Sequence, residues 1–384
     1  MPGVLTRLRK LLPEIAALLV VTSLICFGGW ACGAPSFDAA TQQDLDAAVE
    51  KVLADNVLPG AVVGVWVPEK GSWVVAKGEA DTETGRTMQT SDKFRIASIT
   101  KTFTATMVLL LADEGRLALD DTLDTYLPQI PFASEVTIRQ LLNHTAGIID
   151  DDDNIDNVVA IDPLKEWTPL EVVKAYTEGE LAYEPGTEIH YSNTGYIILG
   201  MVIEAASGDT VASVLEEEIA GPLGLANTYF AEGPDIEGEY AHGYNGDQDV
   251  SRMNMSWDWT AGAMISTLDD LKIWAKALAE GTLLSEEMHQ AQLTFVDFPA
   301  GEGGLKYGLG IYYDFGFLGH SGANIGYQAD MMYYPQEDAT IVILFNKLSD
   351  DESDLDATEK AFVGIVEELF PGAIPDWYRE VFKE

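Results

Sequence analysis

Apolar residues recur at Leu45, Ala48, Val49, Val52 and Leu53 and stop ahead of Leu58-Pro59-Gly60, the spacing of one helix face followed by its terminator. The period then changes. Residues 61–67 and 72–77 are rich in β-branched and aromatic side chains, and the intervening Pro68-Glu69-Lys70-Gly71 predicts a hairpin turn between two antiparallel strands. From Ser98 through Phe103, Met107, Leu110 and Leu111 to Asp113-Glu114-Gly115 the pattern is helical and apolar almost all round, as expected of a central, buried helix. Residues 116–255 read as short helices and loops, broken by Pro128, Pro131, Pro163, Pro169, Pro185 and Pro222. After Ala261, a helix over residues 268–279 leads to strands predicted at 309–313, 327–334 and 340–345, then to a last helix over 357–370. Strands at both ends with helices between them predict an α+β fold. One antiparallel sheet, flanked by helices, is built from both chain ends (36–115 and 256–384), with a mainly helical lobe (116–255) inserted.

Composition changes this picture at the N-terminus. Arg7, Arg9 and Lys10 precede an apolar run from Ile15 to Phe27 that extends to Trp30 and small residues up to Ala34, so residues 1–35 read as an export signal or membrane anchor. An extracytoplasmic location follows, whether secreted, periplasmic or membrane-anchored. Cleavage, lipid attachment at Cys32 and retention as an anchor all remain open. Cys26 and Cys32 both fall in this segment, so the rest of the chain has no thiol for a disulfide, a nucleophile or a zinc-thiolate site. The net charge of −41 repels nucleic acid and anionic lipid and reads as a solvated coat, leaving the N-terminal segment as the membrane contact. The run Asp150-Asp151-Asp152-Asp153-Asn154-Ile155-Asp156-Asn157 lacks the central Gly and terminal Glu of a calcium loop and is expected to be loop surface.

Candidate chemistry starts at Ser98-Ile99-Thr100-Lys101. One helical turn puts serine and lysine on the same face, a weak nucleophile beside a group able to activate it. With 16 Ser and 14 Lys in the chain, chance supplies roughly 0.6 such pairs, so partners elsewhere decide its weight. Two clusters fit. Tyr191-Ser192-Asn193 follows the turn Glu184-Pro185-Gly186-Thr187, which is expected to present it on a loop, and His320-Ser321-Gly322 is expected just before a strand. His144 is expected to cap a turn, and His190, His242 and His289 show no metal-ligand spacing.

In this order the three clusters resemble those of the serine β-lactamase and penicillin-binding-protein superfamily, in particular its class C β-lactamase, D-Ala-D-Ala carboxypeptidase and esterase branch. Leu141-Leu142-Asn143-His144-Thr145-Ala146-Gly147, Pro222-Leu223-Gly224-Leu225 and Ala261-Gly262 ahead of Asp269-Asp270-Leu271 extend the likeness over residues 40–345. The resemblance implies that Ser98 forms an acyl-enzyme, with Lys101 and Tyr191 sharing proton transfer and either one the base. It implies that Asn193 holds Lys101 and the substrate. The backbone N–H groups of Ser98 and Ala323 would form the oxyanion site, and Ser321 and Gly322 would contact substrate; apart from the resemblance, Trp257 and Trp259, just ahead of Ala261-Gly262, read as core aromatics or as pocket lining, with Trp259 the candidate substrate contact. His320 stands where many members carry lysine, so its charge is expected to depend on pH near neutrality, and an ammonium at Lys101 is expected to lower the pKa of Tyr191. No cofactor or metal is implied. The Glu-x-x-Leu-Asn pattern of class A enzymes is absent.

Two rival readings compete with this one. Gly319-His320-Ser321-Gly322-Ala323 approaches a nucleophile elbow, but that fold needs a histidine after the serine and none follows residue 320. A penicillin-binding sensor, acylated at Ser98 without turnover, uses the same residues. The expected substrate is a D-Ala-D-Ala-type peptide, a β-lactam or a small ester; oligomeric state is not readable.

Overall fold

All eight residues of the strand Gly60–Val67 are buried because the sheet is covered on both faces. Val62 and Trp66 enter one core, whereas Ala61, Val63, Val65 and Val67 enter the other, the two-residue alternation of a pleated strand. The computed structural model describes residues 35–150, 162–177, 179–298, 304–348 and 357–381. The N-terminal segment with Cys26 and Cys32, and residues 151–157 of the acidic run, lie outside them.

Nine strands form the main sheet, in spatial order Arg86–Thr87, Gly71–Asp81, Gly60–Val67, Ala339–Phe345, Tyr327–Tyr334, Phe317–Asn324, Tyr312–Asp314, Lys306–Tyr307 and Val296–Asp297. Its long pairs are antiparallel, and the two chain ends meet where Ala61 pairs with Phe345 and Trp66 with Thr340. Between Arg86–Thr87 and Val296–Asp297 the chain leaves the sheet and supplies the helices Ile138–Leu142, Pro169–Thr177 and Asn193–Ser207. The fold is therefore α+β, with a large antiparallel sheet drawn from both ends and a helical insertion.

Helices Ala39–Asp55 and Ala357–Leu369 pack on one face, burying Leu45, Val49 and Val52 of the first with Ala361, Ile365 and Val366 of the second. The Asp38 carboxylate starts the first helix by accepting from the N–H groups of Ala40 and Thr41 at 3.0 Å each. On the other face, Thr100–Asp113 is central, as its all-round apolar pattern predicted. Leu268–Glu280 lies beside it, with Trp274 stacked on Phe103 at 4.2 Å and its indole N–H donating to Thr102.

One strand expectation is corrected and one strand is added. The strand expected over 309–313 is Tyr312–Asp314, because Gly310 takes φ 76° and brings its backbone against Ala105 of the central helix. His320, Ser321 and Gly322 do precede the expected strand Tyr327–Tyr334, and they themselves lie inside a strand that was not expected, Phe317–Asn324. Its glycines carry little intrinsic strand preference, and pairing with Tyr327–Tyr334 over Leu318 to Asn324 imposes the conformation.

Candidate active site

A 3-10 turn, Ala97–Ile99, leads into the helix Thr100–Asp113. Ala97 has φ 45°, a left-handed value that costs a residue with a Cβ about 1–2 kcal/mol. Between buried Ala97 and Ile99, Ser98 is left half-buried. The turn lies against the strand Phe317–Asn324, whose edge beyond Gly319 is not taken by Tyr312–Asp314. A Cβ on Gly322 would stand 2.6 Å from the Ile96 carbonyl and 2.7 Å from the Ser98 nitrogen. Gly322 was expected to admit substrate; here it admits the nucleophile turn itself, bringing Ser98 to the strand that carries Ala323.

Lys101 is wholly buried one turn along. Its Nζ donates to Ser98 Oγ at 3.0 Å, Asn193 Oδ1 at 2.7 Å and the Ala261 carbonyl at 2.9 Å, three acceptors for the three N–H groups of an ammonium. In the amine form two of these contacts remain donors and the lone pair faces Ser98. The Ala261 carbonyl comes from the short helix Trp259–Gly262, tied in by Thr104 Oγ1 donating to the Thr260 carbonyl at 2.8 Å.

Tyr191 sits on the loop expected for it, and Asn193 opens the helix Asn193–Ser207 that follows. Ser192 is its N-cap, accepting from the Gly195 N–H at 3.1 Å. Asp150 covers the same helix end. Its carboxylate accepts from Ser192 Oγ at 2.9 Å and from the Asn193 and Thr194 N–H groups, while burial raises its pKa and these bonds oppose the rise. The expectation of loop surface therefore fails for Asp150: a carboxylate at a helix N-terminus meets unpaired N–H donors and the positive end of the dipole.

His144 is also more than a turn cap. Buried, with φ 62°, it accepts through Nδ1 from the Ser192 N–H at 3.1 Å, which places its proton on Nε2. Its ring lies 4.4 Å from that of Tyr191 and 4.6 Å from that of Tyr307. Burial first, then the Lys101 and His320 charges, push its pKa well below the usual value.

Lys101 Nζ lies over the Tyr191 ring, 4.7 Å from its centroid. Burial, with Tyr312 adding to it, holds the Tyr191 phenol well above its ordinary pKa, although Ser98 draws it partly back. The expected net lowering is overturned, because loss of solvent dominates, and Tyr191 rests as a neutral phenol.

His320 is 1% exposed. Its Nδ1–H donates to the Ser321 carbonyl and its Nε2 accepts from the Tyr307 hydroxyl at 3.0 Å, with the Tyr312 ring 4.3 Å away. Burial, reinforced by Lys101, pushes its pKa down to about 3. Its charge therefore does not change near neutrality as expected: the imidazole is neutral there. Of the remaining expected residues, Ser321 is half-buried and Ala323 exposed on the strand, while the Trp259 ring packs at Gly200, two turns along the helix from Asn193.

Sequence reasoning thus found Ser98, Lys101, Tyr191 and Asn193, which the structure brings together, and did not assign Asp150, His144, Tyr307 and Tyr312 to the site. The β-lactamase family profile matches residues 45–364. The chain belongs to the β-lactamase family. Among relatives of this family, it is 29% identical over 302 residues to penicillin-binding protein 4* of Bacillus subtilis (strain 168), covering 72% of this chain and 65% of that one. It spans 48% of the length of other curated relatives that it matches. A solved D-stereospecific amidohydrolase from Streptomyces sp. superposes with TM-score 0.73 at 30% identity, covering 86% of this chain and 98% of that chain. D-amino acid amidase from Ochrobactrum anthropi SV3, complexed with D-phenylalanine, gives TM-score 0.74 at 27% identity, covering 85% and 98%.

Proposed function

We propose that this β-lactamase-family serine hydrolase works through a Ser98 acyl-enzyme on small amides, esters, β-lactams or D-Ala-D-Ala-type peptides. The observation that carries the proposal is the 3.0 Å contact of Lys101 Nζ with Ser98 Oγ, with Asn193 and the Ala261 carbonyl fixing the amine. The amidohydrolase and amidase among its structural neighbours support amide or peptide substrates.

In this reading the amine form of Lys101 takes the Ser98 proton as Oγ bonds to the carbonyl carbon, and the carbonyl π pair moves to oxygen, facing the Ser98 and Ala323 N–H groups. Collapse re-forms the carbonyl and breaks the bond to the leaving nitrogen or oxygen. The leaving atom takes the phenolic proton of Tyr191, which Lys101 then restores. Water repeats the sequence on the acyl-enzyme: its oxygen bonds to the acyl carbon, Lys101 accepts its proton, and Ser98 leaves and is reprotonated.

A side-by-side assay of a nitrophenyl ester, a chromogenic cephalosporin and a D-Ala-D-Ala peptide tests this. Ser98→Ala is expected to lose about 10³-fold or more in kcat/KM on every substrate that the wild type turns over. Activity that survives unchanged contradicts it. The basic and apolar residues 7–27 support export; N-terminal mass analysis of the native protein from fractionated cells distinguishes cleavage, lipidation at Cys32 and retention, and an intact cytosolic chain contradicts export.

A further inference from the structure

We propose that the site selects substrates with no free carboxylate beside the scissile bond, namely amino-acid-type amides or esters whose leaving group is uncharged. This rests on the serine acyl hydrolase reading and narrows its substrate class. A substrate carboxylate drawn into a partly desolvated site needs a cation or several N–H donors, because an unpaired buried charge is costly.

The residue placed to supply a cation is His320, and the geometry denies it that role. Both ring nitrogens are engaged within the protein, by the Ser321 carbonyl and the Tyr307 hydroxyl, and Tyr312 covers the ring. Lys101 is the neighbouring base, and its Nζ is already engaged with Ser98, Asn193 and the Ala261 carbonyl.

Of the other bases on adjoining segments, Arg95, three residues before Ser98, is buried and donates through one guanidinium nitrogen to the carbonyls of Pro234, Ser251 and Met253. Lys306 precedes Tyr307 on its strand, so its side chain points to the opposite face, where it pairs with Asp297 at 3.0 Å. Arg252 pairs with Asp235 at 2.9 Å, and Lys165 lies over the Trp167 ring. Residues 151–161, which continue from Asp150, contain no lysine or arginine, and neither do 299–303.

Fixed negative charge points the same way. Asp150 and Asp258 are close enough to bond the Tyr191 motif or act on the Tyr191 phenol. A cleft of about 540 Å³ is lined by Glu188, Ile189 and His190, the residues that precede Tyr191 in the chain, and by Val296. A carboxamide or ester asks for hydrogen bonds alone, which the Ser321 hydroxyl and the strand edge offer.

The test compares N-acetyl-D-Ala-D-Ala with its C-terminal carboxamide, using wild type and His320→Lys, with Ser98-dependent turnover of the nitrophenyl ester as a separate readout. For the wild type, kcat/KM on the carboxamide is expected to exceed that on the acid by about tenfold or more, and His320→Lys is expected to shift the ratio toward the acid. A wild-type ratio of one or below overturns the proposal. So does ester turnover without cleavage of the carboxamide, or a folded His320→Lys enzyme with an unchanged ratio. If His320→Lys does not fold, the wild-type ratio decides. Loss of Ser98 dependence on the ester would overturn the hydrolase reading instead.

Discussion

His320 shows how burial redefines a residue read from sequence. As a bare motif position it is a group that titrates near neutrality; within Tyr307, Tyr312 and the Lys101 field its pKa falls to about 3. The folded state then stays neutral where the unfolded chain takes up a proton, so this contribution to stability is present above the unfolded value of 6.5 and is lost as pH falls toward 3. His144 acts with the same sign. Asp314 opposes them: burial pushes its carboxyl up to about 6, so the fold gains as pH falls through that value. Urea unfolding of wild type and His320→Gln between pH 5 and 7.5 isolates the His320 part. Wild-type stability is expected to fall more steeply below pH 6.5, by up to about 1.4 kcal/mol per pH unit. Parallel curves would show that His320 is not held neutral.

At the scale of elements, the site is a junction of a tight turn, two helix ends and a strand edge, and its weakest tolerance is at Gly322. An added methyl meets backbone at Ile96 and Ser98 rather than a movable side chain. Gly322→Ala is expected to lower kcat by about 10²-fold through displacement of Ser98, since near 1 Å of misplacement has that effect, while circular dichroism and melting temperature keep a folded enzyme. Wild-type kcat in a folded Gly322→Ala protein would contradict the close approach. Legibility follows contact range here. Strands Gly60–Val67 and Ala339–Phe345 were visible because each is an apolar run covered on both faces. The strand Phe317–Asn324 was not, since Gly319 and Gly322 lack strand preference and its partners impose it. Asp150 was hidden for a similar reason: its bonds to Ser192, Asn193 and Thr194 span more than 40 residues, and local pattern shows just an acidic run.

Across the whole molecule, both chain ends build one sheet and the inserted helices bring Tyr191 and Asn193 back to the helix that carries Lys101. The separate motifs were legible as one site through the family resemblance that their order along the chain carries. The surrounding neutral histidines and tyrosines were not legible, because burial, not residue type, sets their charge. The net charge of −41 adds a long-range bias against anions, in the same direction as the proposed preference for substrates without a free carboxylate. The central claim is the covalent step at Ser98, and intact-mass analysis of the full chain, quenched within seconds of mixing with a chromogenic cephalosporin or a nitrophenyl ester, tests it most directly. The account predicts an acyl adduct that maps to Ser98, disappears as substrate is exhausted and is missing from Ser98→Ala. An adduct on another residue, or hydrolysis by the wild type with the same rate in Ser98→Ala, would contradict it.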